Sequence, residues 1–238
     1  MIDDILSLNF IKKWFKKNYK FLVVIILYIL YQSNFLYVLF GSFGFKITHI
    51  KMPNRLIFIT INDLIYVFAL ILLFIKDIKK GLKDFKDNFN SRINLMLTCW
   101  MCGCIVMSVS SIIISLITGN SISNNEELVR DSINIAPIYM LFSCAIVAPI
   151  LEEMTFRTAL NGLIRNKWIF ILTSGLIFGL LHVIGNSSKL TDYLYIIPYS
   201  SMGIAFAYLL TRTKNITLPI LIHMTHNFIL VIIQMLRK

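Results

Sequence analysis

Long apolar stretches separated by short polar segments run through the whole chain. Seven of them approach or exceed the roughly 20 residues that a helix needs to cross a ~30 Å hydrocarbon core. They lie near residues 20–40, 56–75, 94–117, 134–164, 168–184, 191–210 and 215–235. This pattern predicts an all-α fold: a polytopic integral membrane bundle of about seven transmembrane helices in a single domain over residues 1–238.

The fourth stretch differs from the others in length. Its 31 residues would form a helix about 46 Å long, and Pro149 lies in its middle. A proline inside a helix either kinks it or ends it. The stretch therefore predicts one kinked helix or two helices, and two would bring the number of spans to eight.

The composition agrees with a membrane protein. Hydrophobic residues make up 57% of the chain and charged residues 15%, and the mean hydropathy is +0.75, all far from the values of soluble domains. The net charge of +11 comes from short basic clusters between apolar stretches. Such clusters contact anionic lipid and set topology, so the charge indicates a lipid bilayer and not a nucleic acid as partner.

Lysine and arginine are distributed unevenly among the connecting segments. Segments 1–20, 76–93, 165–167 and 211–214 hold 15 of them, and segments 41–55, 118–133, 185–190 and 236–238 hold 7. The more basic loops usually stay in the cytoplasm. We therefore expect a multi-pass protein of the cell membrane with a cytoplasmic N-terminus, in which residues 1–20 form a basic flank.

Several polar or small residues within the apolar stretches are expected to serve packing. Asn62 and Asp63 are expected to form interhelical hydrogen bonds, and Gly175 and Gly179 to allow close helix contact. The cysteines are expected to be small core residues and not a disulfide or metal framework. They are Cys99, Cys102, Cys104 and Cys144.

Two adjacent carboxylates and an arginine interrupt the fourth stretch. An ionisable side chain at bilayer depth costs at least roughly 2.5–3.5 kcal/mol, so each of these groups needs a partner, water or a function. Arg157 follows Glu153 by four residues, one helical turn, and the two can neutralise each other. Glu152 points elsewhere and has no partner on its own helix, which makes it the candidate for acid–base chemistry.

Histidines cluster in the last third of the chain. His182 lies in the fifth stretch, and His223 and Asn227 lie one turn apart in the seventh, while His226 faces an adjacent direction. The fourth stretch ends on the side of the membrane where the fifth begins, and the seventh begins on that same side. Measured from that side, these groups and Glu152 lie about 12 to 21 Å deep. They therefore predict one water-containing polar site near mid-membrane.

Three motifs around these residues resemble a known family, the CAAX prenyl proteases and bacteriocin-processing proteins, also called the CPBP or Abi intramembrane proteases. Glu152 to Arg157 matches EExxxR, Phe178 to His182 matches FxxxH, and Pro219 to Asn227 matches PIxxHxxxN. The motifs occur in the family's order, within a predicted catalytic core over residues 134–235. Thr158 departs from the pattern, since a glycine often follows the arginine in the family.

The resemblance implies a membrane-embedded endopeptidase. It implies that Glu152, assisted by His182, activates water, and that His223 and Asn227 stabilise the oxyanion. Glu153, Arg157 and Phe178 would then be supporting residues, and no cofactor would be needed. An alternative implied for the family is a zinc mechanism, in which Glu152, His182 and His223 would be the metal ligands.

The leading hypothesis is an intramembrane endopeptidase that cleaves a membrane-associated peptide or a lipidated protein, in peptide maturation, bacteriocin self-immunity or signalling. Two other classes stay open. A non-catalytic immunity or scaffold protein would keep the polar layer for partner binding. A proton-coupled transporter would use glutamate and histidine as a proton relay, although the sequence shows no internal repeat.

Overall fold

The computed structural model describes residues 8–44, 50–51 and 54–237, and all regular elements in these ranges are helical. The all-α prediction is confirmed. The first seven residues of the basic flank and the loop residue His49 lie outside the described ranges. In chain order the helices are α1 (Leu8–Gln32), α2 (Phe35–Ser42), α3 (Asn54–Asp87), α4 (Phe89–Thr118), α5 (Asn124–Ile135), α6 (Pro137–Leu163), α7 (Lys167–Val183), α8 (Ile196–Thr213) and α9 (Thr217–Leu236), with a 3₁₀ turn over Leu190–Tyr195 before α8.

Five helices in the described part of the chain are long and apolar enough to cross a membrane, and the bent pair α1–α2 makes a sixth. The five are α3, α4, α6, α8 with its preceding 3₁₀ turn, and α9. The remaining predicted span, 168–184, corresponds to α7, whose 17 residues reach only about 26 Å. The sequence predicted seven transmembrane helices, whereas five or six helices in the described residues are long and apolar enough to span a membrane.

The fourth apolar stretch breaks at a different place from the one the sequence indicated. Helix α6 continues through Pro149 as one candidate span. The alternative prediction of two helices here, which would have given an eighth span, is therefore wrong. The chain instead breaks at Ala136 (φ −139°, ψ 68°), and Pro137 begins α6 at a position where a missing N–H costs nothing. Two π-helical segments, Ser143–Val147 and Glu153–Ala159, interrupt the α-helical pattern on either side of Pro149.

Helices α7 and α8 pack closely through small residues, as predicted for Gly175 and Gly179. A Cβ atom built on Gly203 of α8 would come within 2.9 Å of the Gly175 Cα, and a Cβ on Gly179 would meet Ser200. Neither glycine can therefore be enlarged without moving the two backbones apart. This contact fixes α7 against α8 and sets the position of His182 near the end of α7.

Asp63 joins three helices, in agreement with the role expected for it. The carboxylate of this α3 residue is 1% exposed and accepts hydrogen bonds from the Tyr31 hydroxyl of α1 and the Tyr139 hydroxyl of α6, each at 3.0 Å. Both carboxylate oxygens are thus satisfied by neutral donors. The acid ties the N-terminal helices to the beginning of α6.

The predicted ion pair between Glu153 and Arg157 lies at the centre of the bundle. Glu153 Oε2 is 3.0 Å from Arg157 Nε, and both side chains are fully buried. Arg157 also donates through Nη1 to Ser174 Oγ of α7 at 3.1 Å, and Ser174 donates in turn to the Phe156 carbonyl. Arg157 Nε and Nη2 have no aligned hydrogen-bond acceptor among the described residues, so the contact at Nε is an ion pair without a hydrogen bond.

Replacing Arg157 by alanine should destabilise the protein strongly, because Glu153 would keep its charge without its cation. Breaking one partner of a buried pair costs about 3–5 kcal/mol. A matched control is Glu126–Arg130, which has the same spacing on α5 but side chains 38% and 32% exposed; its loss should cost about 0.2–1 kcal/mol. Accumulation in membranes and thermal unfolding in detergent measure both. Equal losses in Arg157→Ala and Arg130→Ala would show that the buried pair is not a structural requirement.

Candidate active site

One cavity of about 500 Å³ contains the four predicted catalytic side chains in its lining. Glu152 comes from α6, His182 from α7, and both His223 and Asn227 from α9. The walls also include parts of α4, α5 and α8, with both apolar and polar side chains. The four predicted residues, which come from three separate helices, therefore reach one cavity.

Glu152 and Glu153 are neighbours in sequence but have different environments. The Glu152 side chain is 17% exposed toward the cavity, whereas the Glu153 side chain has no exposed surface. Successive helical residues point about 100° apart, which directs one carboxylate to the cavity and the other into the helix packing. Glu152 is thus the carboxylate that water and a substrate can reach.

His223 lies between the two carboxylates. Its Nδ1 is 3.0 Å from Glu153 Oε1 and donates to it, since a carboxylate only accepts. Its Nε2 lies 3.8 Å from Glu152 Oε2, an ion-pair distance longer than a hydrogen bond. Glu153 therefore orients His223 with one oxygen while it pairs with Arg157 through the other. The spacing of Glu153 and Arg157 did not predict this second contact, because Glu153 and His223 lie 70 residues apart in the chain.

His182 is fixed by one hydrogen bond and two aromatic faces. Its Nδ1 is 2.8 Å from the Phe178 carbonyl oxygen, so Nδ1 carries the proton and the neutral ring has a free lone pair on Nε2. The ring centroid lies 4.4 Å from that of Phe178, whose ring is tilted by 36°, and 4.7 Å from that of Tyr199, whose ring is stacked on it at 26°. The hydrogen bond and the two rings thus restrict the orientation of the imidazole, which lines the cavity.

Phe178 connects the supporting residues. Its ring lies under the Arg157 guanidinium at 4.9 Å and near the rings of His182 and His223, at 4.4 and 5.8 Å between centroids. A cation over an aromatic face is attracted by the ring quadrupole. The aromatic residue of the FxxxH motif thus packs the buried cation on one side and the two histidines on the other.

Asn227 is partly engaged within the protein. Its Nδ2 donates to the Cys144 carbonyl of α6 at 2.8 Å. An amide nitrogen has two hydrogens, so one N–H remains for another acceptor. The hydrogen bond anchors the Asn227 side chain against the first π-helical segment of α6.

His226 lies beside the site but has a separate partner. Trp100 of α4 donates its Nε1–H to His226 Nδ1 at 3.2 Å, which leaves the proton of the neutral imidazole on Nε2. The residue lines the same cavity. No chemical role was predicted for it, and its contact with Trp100 accounts for its burial.

The alternative set of metal ligands finds no support in the geometry. Within residues 8–44, 50–51 and 54–237, no group of three or more histidine, cysteine, aspartate or glutamate side chains is arranged to hold a metal ion. This covers Glu152, His182 and His223, and also the cysteines, which are all free thiols. No step of the chemistry below is therefore assigned to a metal.

Helix α5 contributes a polar wall that the motifs did not indicate. Asn125, Glu126 and Arg130 line the cavity together with the catalytic groups, as does Tyr199 of α8. Tyrosine and asparagine side chains near an apolar run resemble ordinary packing or loop residues. Only their position in three dimensions shows that they belong to the site.

Comparison with known proteins agrees with the resemblance of the three motifs. A family model described as type II CAAX prenyl endopeptidase Rce1-like matches residues 134–229. The chain is 36% identical over 116 residues to YdiL of Bacillus subtilis (strain 168), named a "putative membrane peptidase"; the match covers 48% of this chain and 44% of that protein. It is 32% identical over 139 residues to the membrane-embedded CAAX protease MroQ of Staphylococcus aureus (strain USA300), covering 55% of this chain and 53% of that protein.

The chain thus spans about half the length of the curated relatives it matches. No solved structure matches it. The matched residues 134–229 include the three motifs and all four of the residues brought together at the cavity. Residues 134–229 of this multi-pass helical protein are thus similar to the Rce1-like type II CAAX prenyl endopeptidase family.

Proposed function

We propose that this chain is an intramembrane endopeptidase that hydrolyses a peptide bond in a membrane-associated peptide or a lipidated protein. The observation that carries the proposal is the position of Glu152. Its carboxylate is the exposed member of the pair, and it shares a cavity with a histidine whose free nitrogen is basic. A carboxylate with this access, whose contact with His223 at 3.8 Å is longer than a hydrogen bond, suits general base catalysis.

The reaction begins with water held between Glu152 and the His182 Nε2 lone pair. Glu152 takes a proton from the water as its oxygen attacks the carbonyl carbon of the scissile peptide. The carbonyl oxygen becomes an oxyanion, and the protonated Glu152 then delivers the proton to the leaving amine as the C–N bond breaks. This transfer returns Glu152 to its ionised form. The new carboxylic acid then loses its proton to the released amine, so the products are a carboxylate and an ammonium group.

His223 and Asn227 supply the donors for the oxyanion. Asn227 offers the N–H that Cys144 does not use. His223 offers Nε2–H when its ring carries both protons, a form in which Glu153 accepts from Nδ1. Donors held in place before the reaction cost no reorganisation when the charge develops, and losing one such donor typically costs 10²–10³ in kcat.

The cavity also suits a substrate at the membrane. Apolar side chains of α4, α8 and α9 line much of it, and polar groups of α5 lie on another wall. A peptide with an apolar or lipidated portion would place that portion against the apolar side and its backbone toward Glu152. A cytoplasmic N-terminus remains part of the proposal, on the basis of the distribution of lysine and arginine.

Glu152→Gln and His182→Ala should each lower kcat at least about 100-fold, because each removes a group that acts on the attacking water. Accumulation in the membrane should not change, since neither side chain belongs to the buried ion pair. The measurement is cleavage of fluorogenic, lipidated and unlipidated peptides by protein purified in detergent or reconstituted in vesicles. Glu127→Gln, an exposed carboxylate of α5, is the matched control and should keep full activity.

The same variants separate the competing functions. A scaffold or immunity protein would retain its cellular phenotype in Glu152→Gln, and a proton-coupled transporter would show substrate-dependent proton flux in vesicles without peptide cleavage. Substantial cleavage by the purified Glu152→Gln protein would contradict the assignment of Glu152 as general base.

Activity should survive dialysis against a strong chelator followed by return to metal-free buffer. The reason is that Glu152, His182 and His223 are not arranged as a metal-ligand group, and that Asn227, a rare zinc ligand, is suited to donate to an oxyanion. Peptide cleavage before and after dialysis is the measurement, with metal content determined in parallel. A loss of activity that added zinc restores would overturn the metal-free mechanism and leave the peptidase proposal intact.

A further inference from the structure

Tyr199 of α8 contacts both the predicted catalytic histidine, His182, and the beginning of α5. Its ring stacks on the His182 ring with a centroid distance of 4.7 Å and an interplanar angle of 26°. His182 also contacts the Phe178 ring, at 4.4 Å between centroids. Because His182 Nδ1 is already bonded to the Phe178 carbonyl, the remaining motion of the imidazole is a rotation that the Tyr199 face blocks.

The hydroxyl of the same tyrosine is bound to the beginning of α5. Tyr199 Oη and Ser123 Oγ lie 2.8 Å apart, and Asn125 donates to the hydroxyl at 3.2 Å. Ser123 is the N-cap of α5, since its side chain accepts the Glu126 backbone N–H at 3.1 Å. The first turn of α5 is therefore attached to the residue that holds His182.

Further hydrogen bonds attach this end of α5 to the connection between α7 and α8. Asn186 donates to the Asn125 side-chain oxygen at 3.2 Å, and Asn124 donates to Asp192 Oδ2 at 3.1 Å. Asp192 also accepts from the Ser188 and Lys189 backbone N–H groups. All of these contacts are polar, and they give the beginning of α5 a defined seat against the connection between α7 and α8.

Helix α5 in that seat forms one wall of the catalytic cavity. Asn125, Glu126 and Arg130 of this helix line the same cavity as Glu152, so the placement of α5 shapes the space that a substrate would occupy. The two contacts of Tyr199 thus combine a ring that orients a catalytic histidine with a hydroxyl that fastens the wall over the site.

We propose that Tyr199 is a positioning residue with two separable functions: its ring holds His182 in the reacting orientation, and its hydroxyl holds α5 in place as the cavity wall. This inference rests on the proposed peptidase function for its kinetic consequences only. The ring contact governs kcat, because His182 acts on the attacking water. The hydroxyl contact governs substrate binding, because α5 is not among the reacting groups.

The kinetics of Tyr199→Phe and Tyr199→Leu test whether the ring and the hydroxyl of Tyr199 have separate functions. Tyr199→Leu removes the flat face and should lower kcat about tenfold or more, since small misplacements of a catalytic group can cost up to about 100-fold. Tyr199→Phe keeps the ring and should restore kcat to within about twofold of the wild type, with KM raised several-fold. Tyr193→Phe changes an exposed tyrosine of the same connection and should behave as wild type. Wild-type kcat in Tyr199→Leu, or an equal loss of kcat in Tyr199→Phe, would overturn the proposal.

A second experiment does not depend on cleavage and so distinguishes this inference from the proposed function. The rate at which diethyl pyrocarbonate modifies His182, followed peptide by peptide in a mass spectrometer, should rise several-fold in Tyr199→Leu and stay unchanged in Tyr199→Phe and Ser123→Ala. His226, held by Trp100, is the internal reference. An unchanged His182 rate in a folded Tyr199→Leu protein would overturn the positioning role.

Hydrogen exchange completes the test for the hydroxyl, and it remains informative if Tyr199→Leu fails to fold. Amides of Asn124–Ile135 should exchange faster in Tyr199→Phe and in Ser123→Ala than in the wild type, while amides of α7 and α8 should not change. Ser132→Ala, another hydroxyl on α5 that bonds only to its own helix, is the control. Unchanged exchange in α5 in both variants would show that the hydroxyl does not fasten this helix.

Discussion

The buried ion pair between Glu153 and Arg157 is the interaction on which the rest of the bundle depends. Neither side chain has exposed surface, so each charge must find its partners within the protein. Arg157 extends the pair to α7 through Ser174, and Glu153 extends it to α9 through His223. A packing of α6, α7 and α9 that separated these groups would bury an uncompensated charge, and this cost favours one arrangement of the three helices.

The same pair also builds the site. Glu153 has two oxygens: one lies against the cation and the other accepts the proton of His223 Nδ1, so the group that stabilises the fold also aims a histidine at the cavity. Glu152, one residue earlier, is directed toward the cavity because neighbouring helical positions diverge by about 100°. Because the two carboxylates have different environments, Glu153 can stabilise the fold while Glu152 remains accessible for chemistry.

The sequence predicted the parts of this arrangement that depend on local spacing. The apolar stretches became helices, Glu153 and Arg157 met at one turn, and Gly175 and Gly179 proved to be close-packing positions. The sequence did not predict that the chain breaks at Ala136, between α5 and α6. Helix α5 has mixed polarity, and its position depends on contacts with the α7–α8 connection, which local spacing does not report. The contact of Glu153 with His223 was missed because 70 residues separate them in the chain, and no periodicity of one helix reports a contact with another.

The two π-helical segments explain how α6 carries so much of the site. One ends just before Ala148 and the other begins at Glu153, so the short α-helical piece with Glu152 lies between two local widenings of the helix. π-helical segments are rare and occur frequently at functional sites. Here the first segment presents the Cys144 carbonyl to Asn227, and the second contains both members of the ion pair. Each π-helical segment of α6 therefore contacts α9 through a polar group, the first through the Cys144 carbonyl and the second through Glu153. Glu152 lies between these two contacts along α6.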